Sequence, residues 1–213
     1  MSATFRLARG RGLLIDAAGR CFDPGTRRWG DGVTALDPGT AETVDAIAAV
    51  AWLQRESGNP LRVPVGVIGP RDATTRQLSA ALQVGELLGD CRLSVICGGR
   101  QGVMEAVCEG VARVGGLSIG LLPDADAGAA NRFVGVAIAT GIGEARNALI
   151  ARAACCLIAI GDSFGTLSEV ALGLQFGKLV IGLEGAANVD GVRHAAGPVE
   201  AMRMAAEAIL GAD

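Results

Sequence analysis

Residues Cys155 to Glu169 read CCLIAIGDSFGTLSE. The first six are apolar without alternation, the pattern of a strand covered on both faces of a parallel sheet. A small polar turn with Gly161 and Gly165 follows. A helical pattern then runs over Thr166–Phe176. Residues Arg92 to Val103, RLSVICGGRQGV, repeat the arrangement: a strand over Arg92–Cys97, a glycine turn, and a helix over Gly102–Val114. Two strand–turn–helix units in one chain point to an α/β architecture.

Working outward, further apolar runs predict strands at Val63–Ile68, Leu117–Leu121, Phe133–Ala137 and Leu179–Leu183. Helical patterns over Thr75–Leu88 and Gly143–Ala154 lie between strands, and Pro198–Leu210 reads as a closing helix. The alternation predicts a Rossmann-like, doubly wound, mostly parallel sheet over residues 63–213. Residues 1–62 read as a small hairpin-plus-helix extension packed on that core. Leu13–Ile15 and Arg20–Phe22 flank Ala17-Ala18-Gly19 as a hairpin, and Asp23-Pro24-Gly25 is a second turn signal. The stretch Thr40–Ser57, TAETVDAIAAVAWLQRES, predicts a helix capped by Thr40, with Glu42 and Asp45 at its positive end.

Composition narrows the function. Half of the 213 residues are hydrophobic, only 3% are aromatic, and Tyr is absent. The core must be built from Ala, Val, Ile and Leu. A net charge of −3 and so few aromatics argue against nucleic acid as the main partner. Arg6, Arg9 and Arg11 read as a solvated tail or strand face. Six cysteines (Cys21, Cys91, Cys97, Cys108, Cys155, Cys156) lack CxxC spacing and read as small buried hydrophobes in a reducing cytoplasm. The lone histidine, His194, leaves no zinc site. No apolar run approaches the roughly 20 residues that span a bilayer, and Met1 to Arg9 lacks a signal-peptide core.

In an open α/β sheet, ligands bind beyond the carboxyl ends of the strands. The candidates therefore follow the strands: Gly69 and Arg71 after the first; Gly98, Gly99, Arg100 and Gly102 after the second, with Met104 and Glu105 opening its helix. Glycines there let backbone amides face an anion at a helix N-terminus, and Arg100 could add a guanidinium. Tight-turn geometry alone also explains such glycines. Gly161, Ser163, Gly165 and Thr166 form a second turn of the same kind. Thr166-x-x-Glu169 is a capping-box pattern, which accounts for Glu169 without chemistry. Arg146 and Asn147 follow the glycine loop Gly141–Gly143.

At these residues the chain, through GGRQGVMEAVCEGV and GEARNALIARAACCLIAIGDSFGTLSEVALGLQFGKLVIGL, resembles the Lonely Guy-like superfamily, which also carries a lysine decarboxylase label. The resemblance covers about Val63 to Leu183 and is nearest to the molybdenum-cofactor-carrier-like branch. Lonely Guy-like enzymes are phosphoribohydrolases that release a base and ribose 5-phosphate from nucleoside 5′-monophosphates. Their motif is an Arg-Lys pair followed by PGGxGTxxE. Carried over, Arg146 matches the arginine, Gly165 and Thr166 the Gly-Thr, and Glu169 the glutamate. Glu169 would stabilise positive charge on the ribose and activate water, with Arg146 orienting it. Asn147 stands where those enzymes have lysine, and Asp162 and Ser163 replace the first glycines of the second loop.

Two readings follow. One is a carrier-like binding protein for a phosphate-bearing heterocycle such as molybdopterin or a nucleotide, with no resident cofactor and the molybdenum cofactor as cargo. The other is a nucleoside 5′-monophosphate phosphoribohydrolase. The resemblance further implies a homodimer or higher homo-oligomer, with a dimer formed through the helices Ala145–Ala154 and Thr166–Phe176, much of whose surface is apolar.

Overall fold

The computed structural model describes residues 3–31 and 41–212. The chain divides into two compact units, Met1–Leu61 with Arg203–Asp213, and Arg62–Met202.

In the first unit, strands β1 (Thr4–Ala8), β2 (Leu13–Ile15), β3 (Cys21–Asp23), β4 (Arg28–Gly30) and β5 (Glu42–Asp45) form an antiparallel sheet in the order β4-β3-β2-β1-β5. The expected hairpin is β2–β3, in register at Ile15 and Cys21. The Asp23-Pro24-Gly25 turn leads to β4, with Asp23 Oδ1 accepting from the Gly25 amide at 2.8 Å. Trp29 stacks on Phe5 with ring centres 5.7 Å apart and donates its indole N–H to the Leu210 carbonyl at 2.6 Å.

Helix α1 (Ala46–Arg55) starts later than the sequence suggests. Residues 42–45 are extended because they pair with β1, with Thr43 opposite Arg6 and Val44 buried. Tertiary pairing outweighs the helical pattern here. Asp45 is the cap instead, accepting from the Ala48 amide at 2.8 Å. Thr40, the expected cap, lies outside the described residues.

The second unit contains β6 (Val65–Ile68), α2 (Thr75–Asp90), β7 (Val95–Cys97), α3 (Val103–Arg113), β8 (Ser118–Leu122), β9 (Val136–Ala139), α4 (Asn147–Ala153), β10 (Leu157–Ile160), α5 (Phe164–Gln175), β11 (Val180–Leu183) and β12 (Val192–His194). Helix α6 (Pro198–Leu210) is the last element among the described residues. The seven strands are all parallel, in the order β12-β11-β10-β6-β7-β8-β9. Every residue of β6, β7, β10 and β11 is buried, which explains their unbroken apolar sequences. Strand β9 lies a few residues beyond the expected Phe133–Ala137, because Phe133 belongs to a turn in which its amide donates to Asn131 Oδ1 at 3.0 Å. β12, Val-Arg-His, is half exposed and carries no apolar run, so the sequence pattern does not reveal it. The expected helix over Gly143–Ala154 opens as a 3₁₀ turn, Gly143–Arg146.

The order of strands reverses between β6 and β10. From β6 the chain winds outward through β7, β8 and β9; from β10 it winds the other way. A doubly wound sheet has its crevice at this point. All six cysteines are free thiols. Among the described residues, no helix is long and apolar enough to cross a membrane.

Candidate functional site

A cavity of about 520 Å³ opens at that reversal, a volume suited to a small ligand. Four segments wall it. The β6–α2 turn gives Gly69 and Arg71, the β7–α3 turn gives Gly98 and Met104, and the start of α4 with the β10–α5 turn gives Arg146, Asn147, Ser163, Gly165, Thr166 and Glu169. These candidates are distant in sequence and meet only because β6, β7 and β10 are neighbours in the sheet.

The other candidates lie off its walls. Gly99 spends its amide on Cys97 Sγ at 3.4 Å. The Arg100 guanidinium pairs with Asp124, and its carbonyl accepts from Asn131 Nδ2 at 2.9 Å. Gly102 is held at φ +72°, and a Cβ there would sit 2.2 Å from the Arg71 carbonyl oxygen. It is a close-approach glycine of the turn, and the following Val103 amide donates to the Pro70 carbonyl. Glu105 lines a separate hollow of about 550 Å³ beside α2 and α3, together with Arg71 and Gly102. The Gly161 amide is bonded to the Leu183 carbonyl at 2.9 Å. Conversely, Ile68, Pro70, Asp72, Glu144 and Asp162 line the cavity without having been singled out as site residues. Glu144 lies two positions before Arg146 in the same glycine-led loop, and that spacing was the available signal.

The centre of the site is Arg146. Only 5% of it is exposed, and its Nη1 donates to Glu169 Oε1 at 3.4 Å. The guanidinium fits because Gly98 has no side chain: a Cβ there would stand 2.7 Å from both Nη1 and Nη2. Glu144 approaches Nη2 at 3.7 Å from the solvent side. Burial pushes the Glu169 carboxyl up from an ordinary 4.5 to about 8; Arg146 opposes the rise and Glu144 adds to it. The Glu169 carboxyl is therefore harder to ionise than an exposed one.

Helix α5 begins earlier than Thr166, and this corrects the capping-box reading. Ser163 is the cap, its Oγ accepting from the Thr166 amide at 3.1 Å. Glu169 is thus the sixth helical residue, one and a half turns in, facing Arg146 and not the helix end. Asn147 Nδ2 donates to Ser168 Oγ at 2.8 Å, and that hydroxyl donates onward to the Gly165 carbonyl at 2.7 Å. Because the hydroxyl proton is committed, Ser168 can only accept, which fixes the orientation of the Asn147 amide. Asn147 Oδ1 and Arg146 Nε are buried without a protein partner. Among the described residues, no group of three His, Cys, Asp or Glu is placed to hold a metal ion.

Residues 62–209 match the SLOG cluster4 family. The chain belongs to this family. An uncharacterised protein of Archaeoglobus fulgidus is 37% identical over 138 residues, which are 65% of this chain and 91% of that protein. The molybdenum cofactor binding protein of Rippkaea orientalis is similar in structure with a TM-score of 0.64 and 34% identity, over 68% of this chain and 96% of its own. The molybdenum cofactor carrier protein of Chlamydomonas reinhardtii gives 0.63 and 32%, over 70% of this chain and 99% of its own. The Lonely Guy-like, carrier-like resemblance read from the motifs therefore holds for this SLOG protein, over the unit that contains the cavity.

Proposed function

We propose that the protein binds and carries a phosphate-bearing heterocycle, with the molybdenum cofactor as its cargo. The observation that carries this reading is the burial of Glu169. A phosphoribohydrolase needs an ionised carboxylate beside the developing ribosyl cation. Glu169 is 6% exposed, and that burial pushes its carboxyl above the ordinary range, which works against ionisation at this site. Asn147 in place of lysine and Asp162-Ser163 in place of glycines support the same reading. So does the likeness to proteins described as binding or carrying the molybdenum cofactor.

The Arg146–Glu169 contact favours a second reading, a nucleoside 5′-monophosphate phosphoribohydrolase in which the Arg146 guanidinium holds Glu169 ionised and oriented. The test is a panel of nucleoside 5′-monophosphates with free base measured by chromatography, alongside binding of the molybdenum cofactor by pterin fluorescence. Cofactor binding without base release is the expected result. Base released by wild type and lost in Glu169→Gln replaces the first reading with the second.

A homodimer belongs to this proposal. Phe164 is 95% exposed, and Ile142, Leu149 and Leu167 are 50%, 45% and 37% exposed on and around α4 and α5. A second copy is the occupant that fits that apolar face. The free thiols accord with a reducing compartment such as the cytoplasm.

A further inference from the structure

Four acidic residues, Asp72, Glu144, Asp162 and Glu169, and two arginines, Arg71 and Arg146, line the cavity, and Arg71 also borders the hollow beside α2 and α3. A phosphate group entering the cavity cannot sit anywhere at will. Arg146 is already engaged, 3.4 Å from Glu169 and 3.7 Å from Glu144. Arg71 takes part in none of the ion pairs among the described residues.

The β10–α5 turn looks at first like the phosphate seat, since it lies at the positive end of a 12-residue helix. Its donors are partly taken. Asp162 Oδ1 accepts from the Ser163 amide at 2.8 Å, and Ser163 Oγ accepts from the Thr166 amide at 3.1 Å. The carboxyl group of Asp162 thus occupies an amide that a glycine loop would leave open, and it lines the cavity where it would face an incoming anion. At the β6–α2 turn, by contrast, Arg71 and the bare backbone of Gly69 line the wall, followed in the chain by Asp72.

We propose that Asp162 is a specificity determinant that fills the anion seat of the β10–α5 turn from within, so that a ligand's phosphate is read by Arg71 while the α5 end receives an uncharged, hydrogen-bonding part of the ligand. This rests on the reading of the cavity as a site for a phosphate-bearing heterocycle, and it assigns that ligand a direction. Ser163 and Thr166 hydroxyls, 2.8 Å apart, face the uncharged part.

The experiment titrates inorganic phosphate into wild type, Asp162→Gly, Asp162→Asn and Arg71→Ala, read by calorimetry and by the rise in melting temperature. Asp162→Gly, which removes the carboxyl and frees the Ser163 amide, is expected to bind phosphate at least about tenfold more tightly than wild type. Asp162→Asn keeps an oxygen on that amide without the carboxyl and is expected to gain less. Arg71→Ala is expected to lose the wild-type phosphate affinity about tenfold, and Asp162→Gly in the same chain to restore it. A Gly variant that binds no more tightly than wild type overturns the proposal. So does Arg71→Ala at wild-type affinity, or wild type with no phosphate response at all. Should Asp162→Gly lose its fold by circular dichroism, Asp162→Asn decides, and no gain in it counts against the proposal. No cofactor enters this titration, so failure to carry the molybdenum cofactor leaves its result readable.

Discussion

Arg146 Nη1 donates to Glu169 Oε1 across 3.4 Å, with only 6% and 8% of the two side chains exposed. One group comes from the turn that opens α4 and the other from the middle of α5, so the contact joins two helices at the floor of the cavity. A buried pair of this kind is costly to break from one side, because the remaining group has no water to replace its partner.

Glu169 makes stability depend on pH in a defined direction. Its carboxyl titrates near 8 in the folded chain and near 4.5 when free. Between those values the folded state holds a proton that the unfolded state has lost. Stability must therefore fall as pH rises across that window and level off beyond it. Urea unfolding at about pH 5 and about pH 9 should show a loss on the order of a few kcal/mol in wild type and a much smaller one in Glu169→Gln. Parallel profiles for the two proteins would show that Glu169 does not titrate in this way.

Arg146→Ala should destabilise the protein by about 1–3 kcal/mol, the cost of leaving the buried Glu169 carboxyl without its donor. It also removes the influence that lowers the Glu169 carboxyl, so the pH-dependent loss should extend to higher pH. Combined with Glu169→Gln, the cost should be well below the sum of the single changes, the signature of a direct contact in a double-mutant cycle.

Gly98→Ala places a methyl group 2.7 Å from the Arg146 guanidinium and from Met104 Sδ. Overpacking of this kind costs about 1–3 kcal/mol. The larger expected effect is on ligand affinity, because Arg146 must leave its position over the backbone. A calorimetric titration that finds affinity unchanged would mean that the ligand does not use Arg146.

Ser163→Ala removes the cap of α5 and should cost about 1 kcal/mol in thermal or urea unfolding. Under the capping-box pattern the cap would have been Thr166, and Ser163→Ala would have been close to neutral. The hydrogen bond from the Thr166 amide to Ser163 Oγ is the reason for the difference.

Phe164→Asp should convert the proposed dimer to a monomer in gel filtration with light scattering. The ring is 95% exposed and the change disturbs no core packing, so stability at the monomer level should be preserved. A monomeric wild type would remove the dimer from the proposal.

The parallel sheet was legible because β6, β7, β10 and β11 are buried on both faces and so carry unbroken apolar runs. The first unit was less so. Residues 42–45 join a helical pattern in sequence, yet pair with β1, and no local signal announces a partner nearly forty positions away. Within the site, Arg146 and Glu169 could be found through the motif, and Gly98 through its turn. That Arg100 faces Asp124 instead of the cavity depends on a contact made by another loop, and no spacing records it. Glu144 was within reach of a reading that weighed its distance from Arg146.

The central claim is that the cavity holds the molybdenum cofactor as cargo. Its most direct test is to incubate the purified protein with cofactor released from a molybdoenzyme, separate by gel filtration, and measure molybdenum by mass spectrometry and pterin by fluorescence. The account predicts both co-eluting with wild type and lost from Gly98→Ala. Protein that elutes free of molybdenum and pterin, yet releases base from a nucleoside 5′-monophosphate, would contradict it.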